Sequence, residues 1–247
     1  MRILLKLWKP AFVVITLLIL WQGCVMLWHL PPYILPAPKE VFITLYLQHA
    51  LLMRESLPTL LEILLGLVLG VLFGCAGGMI TAYFRPLKSW LLPLLILSQA
   101  VPTFVIAPLL VIWLGYGLSA KIITSMLMIF FPVASATYDG LQQTPAEWLA
   151  LARTMSARPL ALFLRVRLAA ALPAIGSGIR IAAAAAPLGA IVGEWVGSSH
   201  GLGYLMLNAN ARMDIALMFA AVILLIFMSL LLYFCIDQSL KKIIWWC

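Results

Sequence analysis

Long apolar runs at about 11–29, 57–83, 90–114, 119–138, 174–196 and 214–236 leave this chain few ways to fold. Each approaches or exceeds the ~20 residues a helix needs to cross the hydrocarbon of a bilayer, where backbone N–H and C=O groups must be paired within the segment. The rest of the chain cannot hide them behind a polar surface. Of 247 residues, 65% are hydrophobic and 10% charged, whereas a soluble domain carries about a quarter charged; the mean hydropathy is +1.11. The expected fold is all-α: a polytopic membrane protein with six transmembrane helices in one domain over residues 1–247. Arg2, Lys6 and Lys9 precede the first run as in a secretory leader. Ala11–Trp28 exceeds a leader's apolar core and no small-x-small site follows, so it reads as a retained span.

Alternating the runs across the membrane, with the N-terminus inside, gathers twelve basic residues on one side: Arg2, Lys6, Lys9, Arg85, Lys88, Arg153, Arg158, Arg165, Arg167, Arg180, Lys241 and Lys242. Lys39, Arg54, Lys121 and Arg212 fall on the other. This positive-inside bias sets both termini in the cytoplasm. It also accounts for the net charge of +8 without nucleic acid as a partner. Cys24, Cys75, Cys235 and Cys247 share no CxxC spacing, and the first three lie in apolar runs, so neither disulfide nor metal is indicated. His29, His49 and His200 are too scattered for a ligand set. No GxxxxGK[ST] loop occurs, so any ATP is bound by another subunit and this chain needs no cofactor.

Gly66, Gly70, Gly74 and Gly78 recur every four residues, aligning a groove along one face of the second run that admits another helix closely. The fifth run is similarly small-surfaced and carries Pro187, which removes a backbone donor. Pro93, Pro102 and Pro108 interrupt the third run and free carbonyls within the membrane, as befits a pathway lining. Ser98 and Gln99, beside Pro102, offer donors to a small solute; Trp113 and Tyr116 read as stacking partners or interface anchors. Glu62 is either a polar pathway or subunit contact or an acid close to the outer interface. Glu194 is either part of an outer gate or a helix-end structural group. Both acids look isolated, which argues against a membrane-embedded enzyme.

The stretch Leu151–Leu168, "LARTMSARPLALFLRVRL", concentrates Arg153, Arg158, Arg165 and Arg167 between the fourth and fifth runs. Apolar residues at helical spacing argue against disorder across 139–173. Thr144, Pro145 and Glu147 suggest a hydroxyl-capped helix start, and Pro159 forces a second short helix over about 159–168. Such an arginine-bearing helix pair suits either anionic headgroups or a soluble docking partner.

The stretch resembles the EAA loop of ATP-binding-cassette importer permeases. The matching positions are Ala150, Leu151, Ala152, Ser156, Leu172 and Pro173, with the family acid replaced by Ala150 and the family glycine by Ser156. Serine can still turn there, with less freedom at positive φ than glycine. "PTFVIAPLLVIWLGYG" and "VGEWVGSSHGLGYLMLNA" are similar to signatures of the nitrate, sulfonate, taurine and thiamine-precursor permeases.

The resemblance implies a non-enzymatic subunit of the bacterial inner membrane. Its implied partners are a second permease copy as a homodimer, two cytoplasmic ATPase subunits and an external solute-binding protein. It makes 139–173 a coupling segment, with Ala152, Arg153, Ser156 and Arg158 near the turn and Leu160 and Phe163 anchoring the second helix. Glu62, Ser98, Gln99, Pro102 and Glu194 become pathway or gate residues. "LSQAVPTFVIAPLLVIWLGYG" followed by "FFP" is most similar to permeases for a pyrimidine precursor of thiamine, with sulfonate, taurine or nitrate as alternatives. A scaffold subunit of an energy-coupling vitamin importer is a further alternative, against which the proline-rich third run argues.

Overall fold

A chain this apolar satisfies its backbone most directly by winding into helices, and the computed structural model is helical over most of its described residues. It describes residues 4–84 and 101–244, with side chains from residue 12 onward, together with 86, 88–90, 93 and 97. Ser98 and Gln99 lie outside the described residues. In chain order the helices are α1 (Leu4–Leu27), α2 (Pro38–Leu47), α3 (His49–Tyr83), α4 (Thr103–Leu114), α5 (Leu118–Gln142), α6 (Ala146–Thr154), α7 (Pro159–Gly197), α8 (Leu202–Ala211) and α9 (Ile215–Ile243). Among the described residues, α3, α5, α7 and α9 are long and apolar enough to cross a membrane, while Phe12–Leu27 and Thr103–Leu114 are shorter apolar helices.

Two boundaries differ from the sequence reading. The second run was expected to begin near 57, but α3 starts at His49, because Glu55 and Ser56 are buried and bonded rather than marking a polar break. The short helix expected over 159–168 is not separate. It continues into the fifth run as α7, since Pro159 sits at the first helical position, where a missing N–H costs nothing. Residues Leu162–Arg167 of α7 are wound as a π-helix.

The centre is a three-helix seam of α3, α5 and α7. The glycine face of α3 lies on α5: a Cβ on Gly66 would strike Ser125, on Gly70 Ile129, on Gly74 Val133, and on Gly78 the Ala134 carbonyl. From α7, Gly178, Gly189 and Gly193 meet α5 at Ala136, Ser125 and Lys121. Ile63, Leu67, Ile129, Val133, Ala182 and Ala186 fill the space between. A second apolar cluster joins Val41 of α2 and Leu52 of α3 to Leu202 and Met206 of α8 and Ala220 and Ala221 of α9. Near the far end, Arg180 Nε of α7 pairs with Asp237 Oδ1 of α9 at 2.8 Å.

The seam yields a first prediction. In Gly78→Leu the new Cβ would lie 2.6 Å from a backbone oxygen that the helix cannot withdraw. Overpacking of this kind costs about 1–3 kcal/mol, to be read as a shift in detergent unfolding. Gly23→Ala, with nothing within 4 Å of the new Cβ, should leave the transition in place.

Candidate functional site

Two places gather polar chemistry, one at each end of the seam. At the end where α3 begins and α7 stops, Glu55, Thr59 and Glu62 recur at steps of four and three, placing them on one face of α3. Thr59 Oγ1 donates to Glu194 Oε1 at 2.6 Å, and Gly203 N donates to Glu194 Oε2 at 2.5 Å. Gly201 N donates to Glu55 Oε2 and Leu202 N to Thr59 Oγ1, both at 2.8 Å. Three side chains from two long helices thereby receive the free N–H groups at the start of α8, the positive end of its dipole. Gly201 has φ +109°, and a Cβ there would overlap the Glu194 carboxylate, so this turn requires glycine.

Lys121 of α5 completes the cluster. Its ammonium is in ion-pair contact with Glu62 Oε1 and donates to Ser198 Oγ at 3.1 Å. Glu62 has no exposed surface and Lys121 has 7%. Neither Glu62 oxygen has hydrogen-bond geometry to another group, so Lys121 is its compensation among the described residues. Glu194 lies within electrostatic reach of both. The expectation that Glu62 and Glu194 are isolated is therefore corrected: they meet through α3, α5 and α7. Lys121, read as an outer flanking charge, is buried. The i, i+4, i+7 spacing of Glu55, Thr59 and Glu62 was the available signal, but their partners lie far along the chain.

Pro102 caps the start of α4 and is exposed; it does not enter this cluster. Trp113 and Tyr116 are exposed, and the latter borders a cleft of about 400 Å3 with Gly117, Lys121, Ser198 and His200.

At the other end, α6 closes with Ser156 at φ +54°, the conformation a glycine would occupy at lower cost. Ser156 N donates to Arg153 O at 2.9 Å and Ala157 N to Ala152 O at 3.0 Å, which terminates the helix. Thr144 does not cap α6 as expected: its hydroxyl donates to Leu141 O at 3.2 Å, and Pro145 takes the cap position. Arg153, Arg158 and Leu160 are exposed, beside exposed Trp148, Leu151, Met155 and Leu164. Ala152 is buried, its small side chain turned inward.

Phe163, read as an anchor of the second helix, is 6% exposed within a cluster of Ala82, Tyr138, Leu141 and Ala171, edge-on to Tyr83 at 5.0 Å. Arg167 also turns inward: Nε and Nη2 donate to Leu141 O, the carbonyl near the end of α5, at 3.1 and 2.8 Å. Its guanidinium lies 5.7 Å from the Phe163 ring centroid.

A helical chain with, among its described residues, four long apolar helices, buried charges at one end and an exposed basic, apolar turn at the other has the build of a multi-pass transport subunit. The chain belongs to the family of binding-protein-dependent transport system inner membrane components, whose model matches residues 62–243. It is 53% identical to a probable ABC transporter permease protein of Haemophilus influenzae, over 98% of both chains. It is 30% identical to the formylaminopyrimidine transport permease protein ThiX of Halalkalibacterium halodurans, over 96% of this chain and 95% of that one. It is 34% identical to the riboflavin transport system permease protein RibX of Chloroflexus aurantiacus, over 88% and 82%. Its fold matches a structure of the inward-facing MetNI methionine ABC transporter with a TM-score of 0.70 at 20% identity, covering 79% of this chain and 97% of that one. Members of the family are permease subunits that work with an ATPase and a binding protein.

Proposed function

We propose that this ABC importer permease crosses the membrane six times with both termini inside, pairs with a second copy of itself, and engages two ATPase subunits through α6, Ser156 and the start of α7. The observation that carries the coupling reading is the left-handed turn at Ser156, which presents Arg153, Arg158, Leu160, Leu151 and Met155 beyond the end of the seam while Ala152 packs inward. Arg165, with Lys241 and Lys242 near the C-terminus, makes this the basic and hence cytoplasmic end. Glu62 and Glu194 then lie toward the outside, where with Thr59 they form a gate that holds the 198–203 turn. Pro102, Ser98 and Gln99 belong to the solute pathway.

The solute we favour is a pyrimidine precursor of thiamine. The formylaminopyrimidine permease supports it by similarity along nearly the whole chain. A flavin is the second reading, supported by the riboflavin permease. Uptake of labelled formylaminopyrimidine and riboflavin by cells with and without this chain separates the two.

The coupling reading is tested by affinity purification in mild detergent. An ATPase should copurify with the parent chain and be lost from Leu151→Asp/Leu160→Asp, whose altered side chains are exposed. Copurification unchanged by that pair, or no ATPase with stable parent protein, would sink it.

A further inference from the structure

Lys121 does something that neither the family nor the gate reading assigns to it. Its ammonium carries three N–H donors. It contacts Glu62 behind it and Ser198 in the turn ahead of it. The Ser198 hydroxyl in turn donates to His200 O and accepts from His200 N at 3.2 Å. One buried cation therefore spans from α3 to the 198–203 turn, whose far half is held by Glu55, Thr59 and Glu194.

The two contacts of Lys121 differ in surroundings. Glu62 is sealed within the seam, whereas Ser198 borders the cleft of about 400 Å3 that Lys121 itself lines with Tyr116, Gly117, Leu118 and His200. The cleft is large enough to take a lysine head and the water that would hydrate it. The α5 backbone is fixed at this point, because Gly193 of α7 approaches Lys121 so closely that a Cβ would lie 3.0 Å from its Cα. With the ammonium also held by Glu62, the turn is the movable part.

We infer that Lys121 is a positioning residue of this gate: its ammonium, held by Glu62, clamps the 198–203 turn through Ser198, and the turn lifts when the Ser198 hydroxyl leaves the ammonium for the water of the adjoining cleft. The inference rests on reading this end as the gate. It adds that the clamp is released at Ser198 rather than at the buried Glu62 contact, so the charge pair survives the opening step.

The test uses Leu202→Cys as reporter, since Leu202, in the turn itself, is fully buried while the turn is held down. The full chain, with Cys24, Cys75, Cys235 and Cys247 replaced, is placed in phosphatidylethanolamine and phosphatidylglycerol nanodiscs and labelled with a water-soluble maleimide. Ser198→Ala should raise the labelling rate about tenfold or more, the worth of a hydrogen bond to a charged group. Ser198→Thr, which keeps the hydroxyl, and His200→Ala, which acts only through its backbone, should label at the parent rate. Glu62→Leu/Lys121→Met, which removes the clamp without stranding a charge, should speed labelling by the same factor, and adding Ser198→Ala to it should make it no faster, because both changes break one link. If that pair fails to fold, Ser198→Ala with Lys121→Arg decides: the first fast, the second slow. Parent-rate labelling of Ser198→Ala, or effects of the two changes that multiply, overturns the clamp. The readout needs no ATPase, so failure of the importer reading would appear in the copurification alone.

Discussion

Lys121→Met is expected to lose about 3–5 kcal/mol of stability, because it strands a carboxylate that has no exposed surface and whose one cation among the described residues is Lys121. Unfolding in mixed micelles of dodecyl maltoside and increasing sodium dodecyl sulfate measures it. Glu62→Leu/Lys121→Met removes both charges and should recover most of the loss, since a buried pair roughly breaks even against apolar replacements. Glu62→Gln should cost less than Lys121→Met, because the freed ammonium has the cleft to turn into. A double variant as unstable as Lys121→Met would mean that lysine packing, not charge, holds the site.

The second large effect is expected at the opposite end. Phe163→Ala removes a ring enclosed by Tyr83, Tyr138, Leu141 and Ala171 and the face over which Arg167 lies, at a cost of about 3–5 kcal/mol. Leu160→Ala, three residues earlier and exposed, should stay within about 0.5 kcal/mol. If the coupling reading holds, Leu160 variants weaken ATPase copurification without moving the unfolding midpoint, and Phe163 variants move the midpoint. Equal sensitivity of both residues in unfolding would contradict the inward placement of Phe163.

Periodicity served the sequence reading well where a segment's environment is set by its own residues. The spacing of Gly66, Gly70, Gly74 and Gly78 predicted a close helix contact, and α5 fills it. Prolines misled where they fall at helix starts: Pro159 opens α7, so a break was expected where the chain continues into the fifth run. Single charged residues misled for another reason. Hydropathy assigns Lys121 and Glu62 to interfaces or to isolation, because it cannot see that charges on two helices far apart in the chain will neutralise one another. Arg167 is the same case, an arginine counted with its exposed neighbours although it bonds a carbonyl of α5. The turn at Ser156 was legible as a turn, but which side chains it leaves outside depends on how α7 winds. The π-helical turn over Leu162–Arg167 has no signature in composition.

The glycine face of α3 also limits how the molecule can move. With no side chain on that face of α3, groups of α5 seat directly in it, Ser125 at Gly66, Ile129 at Gly70, Val133 at Gly74 and the Ala134 carbonyl at Gly78, a tooth for each turn. The next matching alignment lies a full step of four residues away, about 6 Å along the axis, and every smaller slide drives Ile129 or Val133 into α3. Gradual creep along this joint is therefore forbidden. Whatever stroke the far ends deliver, α3 and α5 travel as one spar, and the give must be found where they meet other parts.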